Sequence, residues 1–449
     1  MFKIRKLLAL VTGKALIALS RALGGQGTNL PGRLASFIYP PLLSELSRNI
    51  TGACFMVTGT NGKTTTCNLA AAIIREQGFS IVHNQAGANM LAGITTAFIQ
   101  NSDLLGQRTH DYALLETDEA NVAPLLQIIK PRYILITNFF RDQLDRYGEL
   151  DITVKLISSA VKGTGIELIL NADDPLQSNW PSLTGLKCLY YGFDHTAYDN
   201  LDSADSRECR YCMLCGHELE YSYYHYAQLG RFQCPHCGHH NQQLDYVGSE
   251  LSLEDGIAFK IGDLHLESRL QGFYNAYNIL AAATLALESG FGKDIIKRAI
   301  ASHQPAAGRM ENFIIGGKQV FLILVKNPTG FDQSLAMLTG DIHTKNIFMA
   351  LNDNAADGRD ISWIWDTQVE LLARSEEKIT GLICSGQRSG DMALRFKYAG
   401  LDTSKIVIEP YLRKAIERTL GLEGQVTYIL CTYTALFACR KILLRLRDR

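Results

Sequence analysis

The stretch "ACFMVTGTNGKTTTCNLAAAIIREQG" limits what this chain can fold into more than any other. Ala53 to Val57 is an apolar run that reads as a buried strand. A glycine turn follows, and a helical pattern from about Thr64 stops before Gly78. A strand that feeds a helix through a glycine turn is a βα unit, the building block of a largely parallel sheet covered on both faces. Three more apolar runs repeat the theme: "YALLE" (Tyr112 to Glu116), "YILITN" (Tyr133 to Asn138) and "LILNADD" (Leu168 to Asp174). Ligands of such sheets gather at the carboxyl ends of the strands, so Gly59, Glu116, Asn138 and Asn171 are expected to converge on one crevice.

The turn itself, "TGTNGKTTT", carries the chemistry of phosphate binding. Gly59, Thr60, Asn61, Gly62, Lys63, Thr64 and Thr65 lie between a strand end and a helix start, where backbone N–H groups and the positive helix end face anionic oxygens. Lys63 is placed to meet terminal phosphates and Thr64 a magnesium ion. The spacing departs from the general G-x-x-x-x-G-K-[ST] loop, because the four residues before Gly62 begin with Thr58 and are preceded by Val57, not by glycine.

A chain of 449 residues suggests about two or three domains. After the helical "GFYNAYNILAAATLALESG", the segment "HQPAAGRMENF" (His303 to Phe313) has the proline and glycine of a linker. Beyond it "KQVFLILV", "NIFMALND", "ITGLICSG" and "QVTYILCT" alternate with helical stretches, as in a smaller Rossmann-like α/β domain. The expected division is 1–310 and 311–449, with an insertion over 202–248. With 44 basic and 45 acidic residues the formal charge is -1, which gives no global field for nucleic acid. An odd count of 11 cysteines without a secretory pattern argues for reduced thiols or metal ligands in the cytoplasm. The opening "MFKIRKLLALVTGKALIALSRALGG" is broken by Lys14 and Arg21, and its longest apolar run is far below the ~20 residues of a membrane span. It reads as an amphipathic helix packed on the protein, with a basic face open to membrane contact.

Within the insertion, "CRYCMLCG" and "CPHCG" supply Cys212-x-x-Cys215 and Cys234-x-x-Cys237, the spacing of a four-cysteine zinc ribbon. Four thiolates leave zinc no open position, so the expected role is structural; Cys209, His217, His236 and His239 are competing ligands. Cys54, Cys67, Cys431 and Cys439 read as core thiols. Cys384, in "LICSGQRSG", lacks the first glycine of a nucleophile elbow and is not expected to be catalytic.

The loop G-T-N-G-K-T-T resembles the nucleotide loop of the Mur ligases and of folylpolyglutamate synthetase, enzymes that join a carboxylate to an amine with ATP. Other segments agree in order. "LLETDE" places Glu116 where that family keeps a magnesium-binding glutamate, and "TNFFRDQLDRYGE" resembles T-N-x-x-x-D-H-L-D, with Gln143 in place of histidine. "NADDP" follows at Asn171. "NAYN" puts Asn275 and Asn278 at nucleotide-contacting positions, and "GRME" supplies Arg309 as a phosphate-contacting arginine. The resemblance implies ATP and Mg2+, with the metal on Thr64 and Glu116. Two departures stand out: some fifty residues precede the loop, too few for a UDP-sugar domain, and "LVKNPTG" replaces the family's D-Y-A-H-N-P, with Lys326, Asn327 and Pro328.

The remaining puzzle is "LNDNAADGRDISWIWD", with aspartates at 353, 357, 360 and 366 beside Trp363 and Trp365. Paired tryptophans next to a polar turn suggest an interface. This loop resembles the C-terminal domain of the MurT family, the ATP-using subunits of lipid II isoglutaminyl synthase, and "GTNLPGRLA", "HNQAGANMLAGI", the cysteine ribbon and "KNPTG" extend that resemblance along the chain. It implies a heterodimer with a GatD-like glutamine amidotransferase subunit, and Asp360 as the catalytic carboxylate lent to that partner's histidine. The implied reaction amidates the α-carboxylate of D-glutamate in the lipid II stem peptide, at the inner face of the plasma membrane. A free-standing ligase that adds an amino acid to a carboxylate is the alternative.

Overall fold

The computed structural model describes residues 2–22, 27–85, 88–141, 150–201, 209–304 and 308–447. They form two compact units, the first built from Met1–Phe139, Leu150–Asp202 and Cys209–His303, the second chiefly from Gln304–Arg449.

The first unit is organised by a nine-stranded sheet. Its parallel part contains β1 (Ile50–Thr58), β2 (Ile81–His83), β3 (His110–Glu116), β4 (Tyr133–Ile136), β5 (Glu167–Asn171) and β6 (Cys188–Phe193), in the order β6-β5-β4-β1-β3-β2. Phe55, Met56 and Val57 of β1 are all buried, which is why that strand reads as a continuous apolar run instead of an alternating one. A separate hairpin, β7 (Glu220–Tyr226) with β8 (Leu229–Gln233), belongs to the cysteine-rich module. The main sheet resumes at β9 (Tyr246–Ser252), parallel to β6, and ends in the antiparallel β10 (Ile257–Ile261) and β11 (Leu264–Ser268).

Helices Phe2–Ala22, Leu30–Ile38 and Leu42–Ser47 pack beside helix Leu91–Asn101, so the opening helix does lie on the protein. Lys14 Nζ donates to Ile99 O at 2.9 Å and Ser102 O at 2.6 Å, which satisfies carbonyls at a helix end and complements its dipole. Gly32 sets the approach of two helices: a Cβ there would fall 1.9 Å from Ala92 O. Among the described residues no helix is long and apolar enough to cross a membrane.

The second unit is a six-stranded sheet in the order β12-β13-β17-β14-β15-β16, from β12 (Arg309–Ile315), β13 (Lys318–Leu324), β14 (Lys345–Ala350), β15 (Ile379–Ser385), β16 (Ile406–Ile408) and β17 (Val426–Cys431). All neighbours run parallel except β12, which pairs antiparallel with β13. The stretch read as linker through Phe313 is therefore a strand from Arg309 onward. Its partner is fixed by Gly316 and Gly317, both at positive φ (57° and 76°), a two-residue hairpin turn that only glycine enters readily. Apolar clusters cover both faces of this sheet, one around Phe331, Met349 and Leu382, the other around Phe348, Ile429 and Leu436.

Candidate functional site

In the first unit, β1, β3 and β4 end level with one another, because Val57 pairs with Glu116 and Thr58 with Ile136. The turn after β1 is thereby set beside the ends of its two neighbours. Thr60 N–H donates to Asn138 O and Asn61 N–H to Asn138 Oδ1, each at 2.9 Å, while Thr137 Oγ1 donates to Asn61 O at 2.7 Å. Asn171 reaches the same strand end, its Nδ2 donating to Thr137 O at 3.3 Å. The other side of the turn meets helix Phe273–Glu288. Gly62 has φ +85°, and a Cβ there would fall 2.0 Å from Asn278 Oδ1. Asn278 accepts from Thr66 Oγ1 at 3.4 Å and donates to Asn275 Oδ1 at 3.0 Å, so the "NAYN" asparagines abut the turn.

Helix Lys63–Glu76 starts at Gly62, and its first residues carry the polar chemistry. Lys63 is buried, with Nζ donating to Gly59 O, to Thr60 O at 3.3 Å, and to Glu119 Oε1 at 3.2 Å. A buried ammonium without a carboxylate would be costly, and Glu119, itself buried, supplies one. Sequence reasoning passed over Glu119; its only signal was a second glutamate three residues after Glu116. Asp118 positions it by accepting from Ala120 N–H at 3.2 Å at the start of a short 3-10 turn.

Thr64 Oγ1 donates to Glu116 Oε1 at 3.1 Å. A hydroxyl and a carboxylate held that close form a pair of hard oxygen donors, the type that suits magnesium. Asn89 Nδ2 adds a contact to the same Oε1 at 3.3 Å. Asn84 grips the backbone of Glu116 twice, at 2.7 and 2.9 Å, which explains the asparagines of "HNQAGANMLAGI". Of the "TNFFRDQLDRYGE" motif, Thr137 to Arg141 are described, whereas Gln143 and the rest of residues 142–149 fall outside the described residues. Arg309 opens β12 of the second unit.

The cysteine-rich module brings Cys212, Cys215, Cys234 and Cys237 together, with all four sulfurs within 4.8 Å of one another. Cys212 Sγ lies 3.6 Å from Cys237 Sγ and Cys215 Sγ 3.5 Å from Cys234 Sγ. Thiolates about 2.3 Å from a tetrahedral zinc stand ~3.8 Å apart, so the donor set fits that ion. Cys215, His217 and His236 form an overlapping second group, while His239 turns between Cys212 Sγ at 3.5 Å and Ser178 Oγ. The module also reaches the strand ends of the nucleotide site. Gly230 N–H donates to Asp173 O at 3.0 Å, Asn241 Nδ2 to Ala172 O at 2.9 Å, and Gln228 Nε2 to Phe139 O. Replacing Cys215 and Cys234 with serine is expected to abolish stoichiometric zinc, lower the melting temperature by about 5 °C or more, and weaken ATP binding through those three tethers. Metal analysis, thermal melts and nucleotide titration check it.

In the second unit, the aspartate-rich segment follows β14 and three of its acids separate by role. Asp353 pairs with Arg388 at 2.8 Å. Asp357 is buried and accepts from Thr434 N–H at 2.7 Å, Thr434 Oγ1 at 2.6 Å and Asn354 N–H at 3.2 Å, so it fastens the turn to helix Tyr433–Arg447. Asp360 is partly exposed. It accepts from Ser362 N–H at 2.8 Å, and the hydrogen bonds from Ser362 hold its carboxyl below the usual carboxylate range. The paired-tryptophan reading needs correction: Trp363 is buried edge-on against Phe331 in the core, and only Trp365 is exposed, beside Tyr398 and beneath Arg395. Burial pushes the Cys384 thiol up to about 12, which leaves it no useful thiolate.

Two family models match the chain: the Mur ligase middle domain over residues 57–286 and the MurT ligase C-terminal domain over residues 324–436. A curated relative from Staphylococcus aureus (strain COL), "Lipid II isoglutaminyl synthase (glutamine-hydrolyzing) subunit MurT", is 38% identical over 93% of each chain. The protein with the same name from Streptococcus pneumoniae is 33% identical over 93% of each. Among solved structures, a pseudomurein peptide ligase type C from Methanothermus fervidus matches with a TM-score of 0.68 at 20% identity, covering 88% of this chain and 79% of its own, a likeness of fold. With the phosphate-loop unit and the aspartate-bearing unit each matched, and relatives of this identity aligned along nearly the whole length, the chain belongs to the MurT family of Mur ligase-like proteins.

Proposed function

We propose that this chain is the ATP-using subunit of a lipid II isoglutaminyl synthase, amidating the α-carboxylate of D-glutamate in the lipid II stem peptide with ammonia from a GatD-like glutaminase partner. The observation that carries this reading is the cluster at the start of helix Lys63–Glu76: Thr64 against Glu116, and buried Lys63 beside them. It is supported by the names of the relatives and by the seat of Asp360 on a partly exposed turn.

ATP would lie along Gly59 to Thr65, with Asn275 on the flank; the family resemblance assigns a phosphate contact to Arg309 as well. Thr64 and Glu116 would hold magnesium, which would supply positive charge against the phosphate oxygens. Lys63 exchanges Glu119 for the phosphates and stabilises charge on the group in transfer. The γ-phosphoryl passes to a carboxylate oxygen, giving ADP and an acyl phosphate. Ammonia then adds to the acyl carbon, inorganic phosphate leaves, the nitrogen loses a proton, and D-isoglutamine results. Free ammonia is mostly protonated at neutral pH, so a docked generator keeps the nucleophile neutral. The partner's histidine would draw its orientation and cationic stabilisation from the Asp360 carboxylate, which Ser362 keeps ionised. Trp365 and Tyr398 give that partner an aromatic contact. The four cysteines would hold zinc as a brace for the strand ends.

Phosphate release with lipid II as acceptor tests the reading. Ammonium salts should support turnover and amino acids should not. Turnover with an amino acid, and its appearance in the product, would establish the free-standing ligase instead.

A further inference from the structure

Helix Phe2–Ala22 has two apolar faces. The inner one, with Ala9, Leu10 and Ile17, is buried against the first unit. The outer one is not. Ile4, Leu7, Leu8, Val11 and Leu19 fall within a stripe of roughly 120° on a 3.6-residue helix, and they are 41 to 64% exposed. Exposed Ala15, Ala18 and Ala22 continue the stripe without a polar interruption. The neighbouring helix Leu30–Ile38, tied on by Arg5 donating to Ile38 O at 2.9 Å, exposes Leu30, Leu34 and Phe37 at i, i+4 and i+7. A contiguous apolar face of this kind on a soluble unit marks a contact surface.

The surrounding charge says what it contacts. Residues 1–44 contain Lys3, Arg5, Lys6, Lys14, Arg21 and Arg33 and no aspartate or glutamate, and the first acid, Glu45, offsets only Lys6 of the helix, at 3.0 Å. On the helical projection Lys3 and Arg21 flank one side of the outer stripe and Arg5 the other; Lys14 lies on the side of Lys3, but its ammonium is held by Ile99 O and Ser102 O. A second copy of this chain would bring like charges face to face. We propose that this surface docks on an anionic lipid bilayer, with helix Phe2–Ala22 lying in the interfacial plane, its outer stripe among the acyl chains and its flanking cations on the headgroups. Arg21, at the end of the helix, also lines a cleft of about 340 Å³ with Thr28, His83 and Asn84, and Asn84 is the residue that grips Glu116. One cleft is therefore lined both by the end of the docking helix and by a residue that touches Glu116, a placement suited to a head group that stays tethered to its lipid. This purpose rests on the lipid II reading; the surface itself does not.

Flotation of the full chain with vesicles, without nucleotide, tests the proposal separately from the ligase chemistry. The chain should float with vesicles containing phosphatidylglycerol, much less with phosphatidylcholine alone, and be released by high salt. Leu8→Glu/Val11→Glu should lower the partition about tenfold or more, and Lys3→Gln/Arg21→Gln about twenty-five-fold, about fivefold for each of the two charges. All four side chains are exposed, so melting temperature should hold; if the first variant melts early, the charge variant decides. Failure of the parent chain to float overturns the proposal. So does flotation that both variants leave unchanged, or self-association that Leu8→Glu/Val11→Glu abolishes while no vesicle binding occurs.

Discussion

Replacing Asp360 with alanine, in the chain purified with the proposed glutaminase partner, is expected to leave ammonium-driven turnover within about twofold and to cut glutamine-driven turnover by roughly three to four orders of magnitude. The split follows from where this carboxylate sits. Asp360 belongs to the second unit, on a turn that Asp357 and Asp353 already hold in place, so its removal disturbs neither the phosphate loop nor the fold of the turn. What would disappear, on the proposed reading, is the anion that orients the partner's imidazole and stabilises its cation. Asp360→Asn should behave like alanine, because a neutral amide retains the shape without the charge. Since Ser362 depresses the Asp360 pKa, the parent's glutamine-driven rate should show no loss from this group as pH falls from neutrality toward the ordinary carboxylate range. Glutamine hydrolysis and phosphate release, measured side by side, decide it. Undiminished hydrolysis in the alanine variant removes the assignment.

Lys63→Ala is expected to lower phosphate release by roughly 10³-fold with either nitrogen source, because on the proposed reading the lost cation is the one that meets charge in transfer. It should also destabilise the chain, by about 3 kcal/mol, since Glu119 is left buried without its ammonium. These two losses are separable. Adding Glu119→Gln to Lys63→Ala should recover most of the stability and none of the turnover, and Glu119→Gln alone should leave a working loop. Denaturant melts and phosphate release on the four proteins form the cycle. If the double variant were as unstable as Lys63→Ala, the ion pair would not be what Lys63 contributes to folding.

Much of the fold could be read in the sequence because the strands that matter are buried on both faces. The runs at Ala53, Tyr112, Tyr133 and Leu168, and the four in the second unit, became strands of parallel sheets for that reason. The carboxyl-end rule was similarly productive: Gly59, Glu116, Asn138 and Asn171 end up at neighbouring strand ends because register, once parallel, aligns them. The cysteine pairs converge as their spacing suggested. What the sequence hid depends on partners far along the chain. Glu119 is significant only because Lys63, 56 residues earlier, points at it. Trp363 was misread because a tryptophan beside a polar turn looks the same whether it anchors a partner or fills a core, and Phe331 is what decides. The hairpin at Gly316 and Gly317 was legible in principle, as a double glycine between two apolar runs, but the proline and glycine before it suggested a linker.

The clasp between Asp357 and Thr434 bears on how quickly an assembly can form. Because both the backbone and the hydroxyl of Thr434 grip one carboxylate, the segment carrying Asp360 has little freedom left to lose when another protein arrives. A visitor to this turn would find its landing place already shaped, and the encounter would proceed as collision of two stiff bodies at about 10⁵ to 10⁷ M⁻¹ s⁻¹. Loosening the clasp with Thr434→Val would slow that arrival while every atom of Asp360 stayed in the chain.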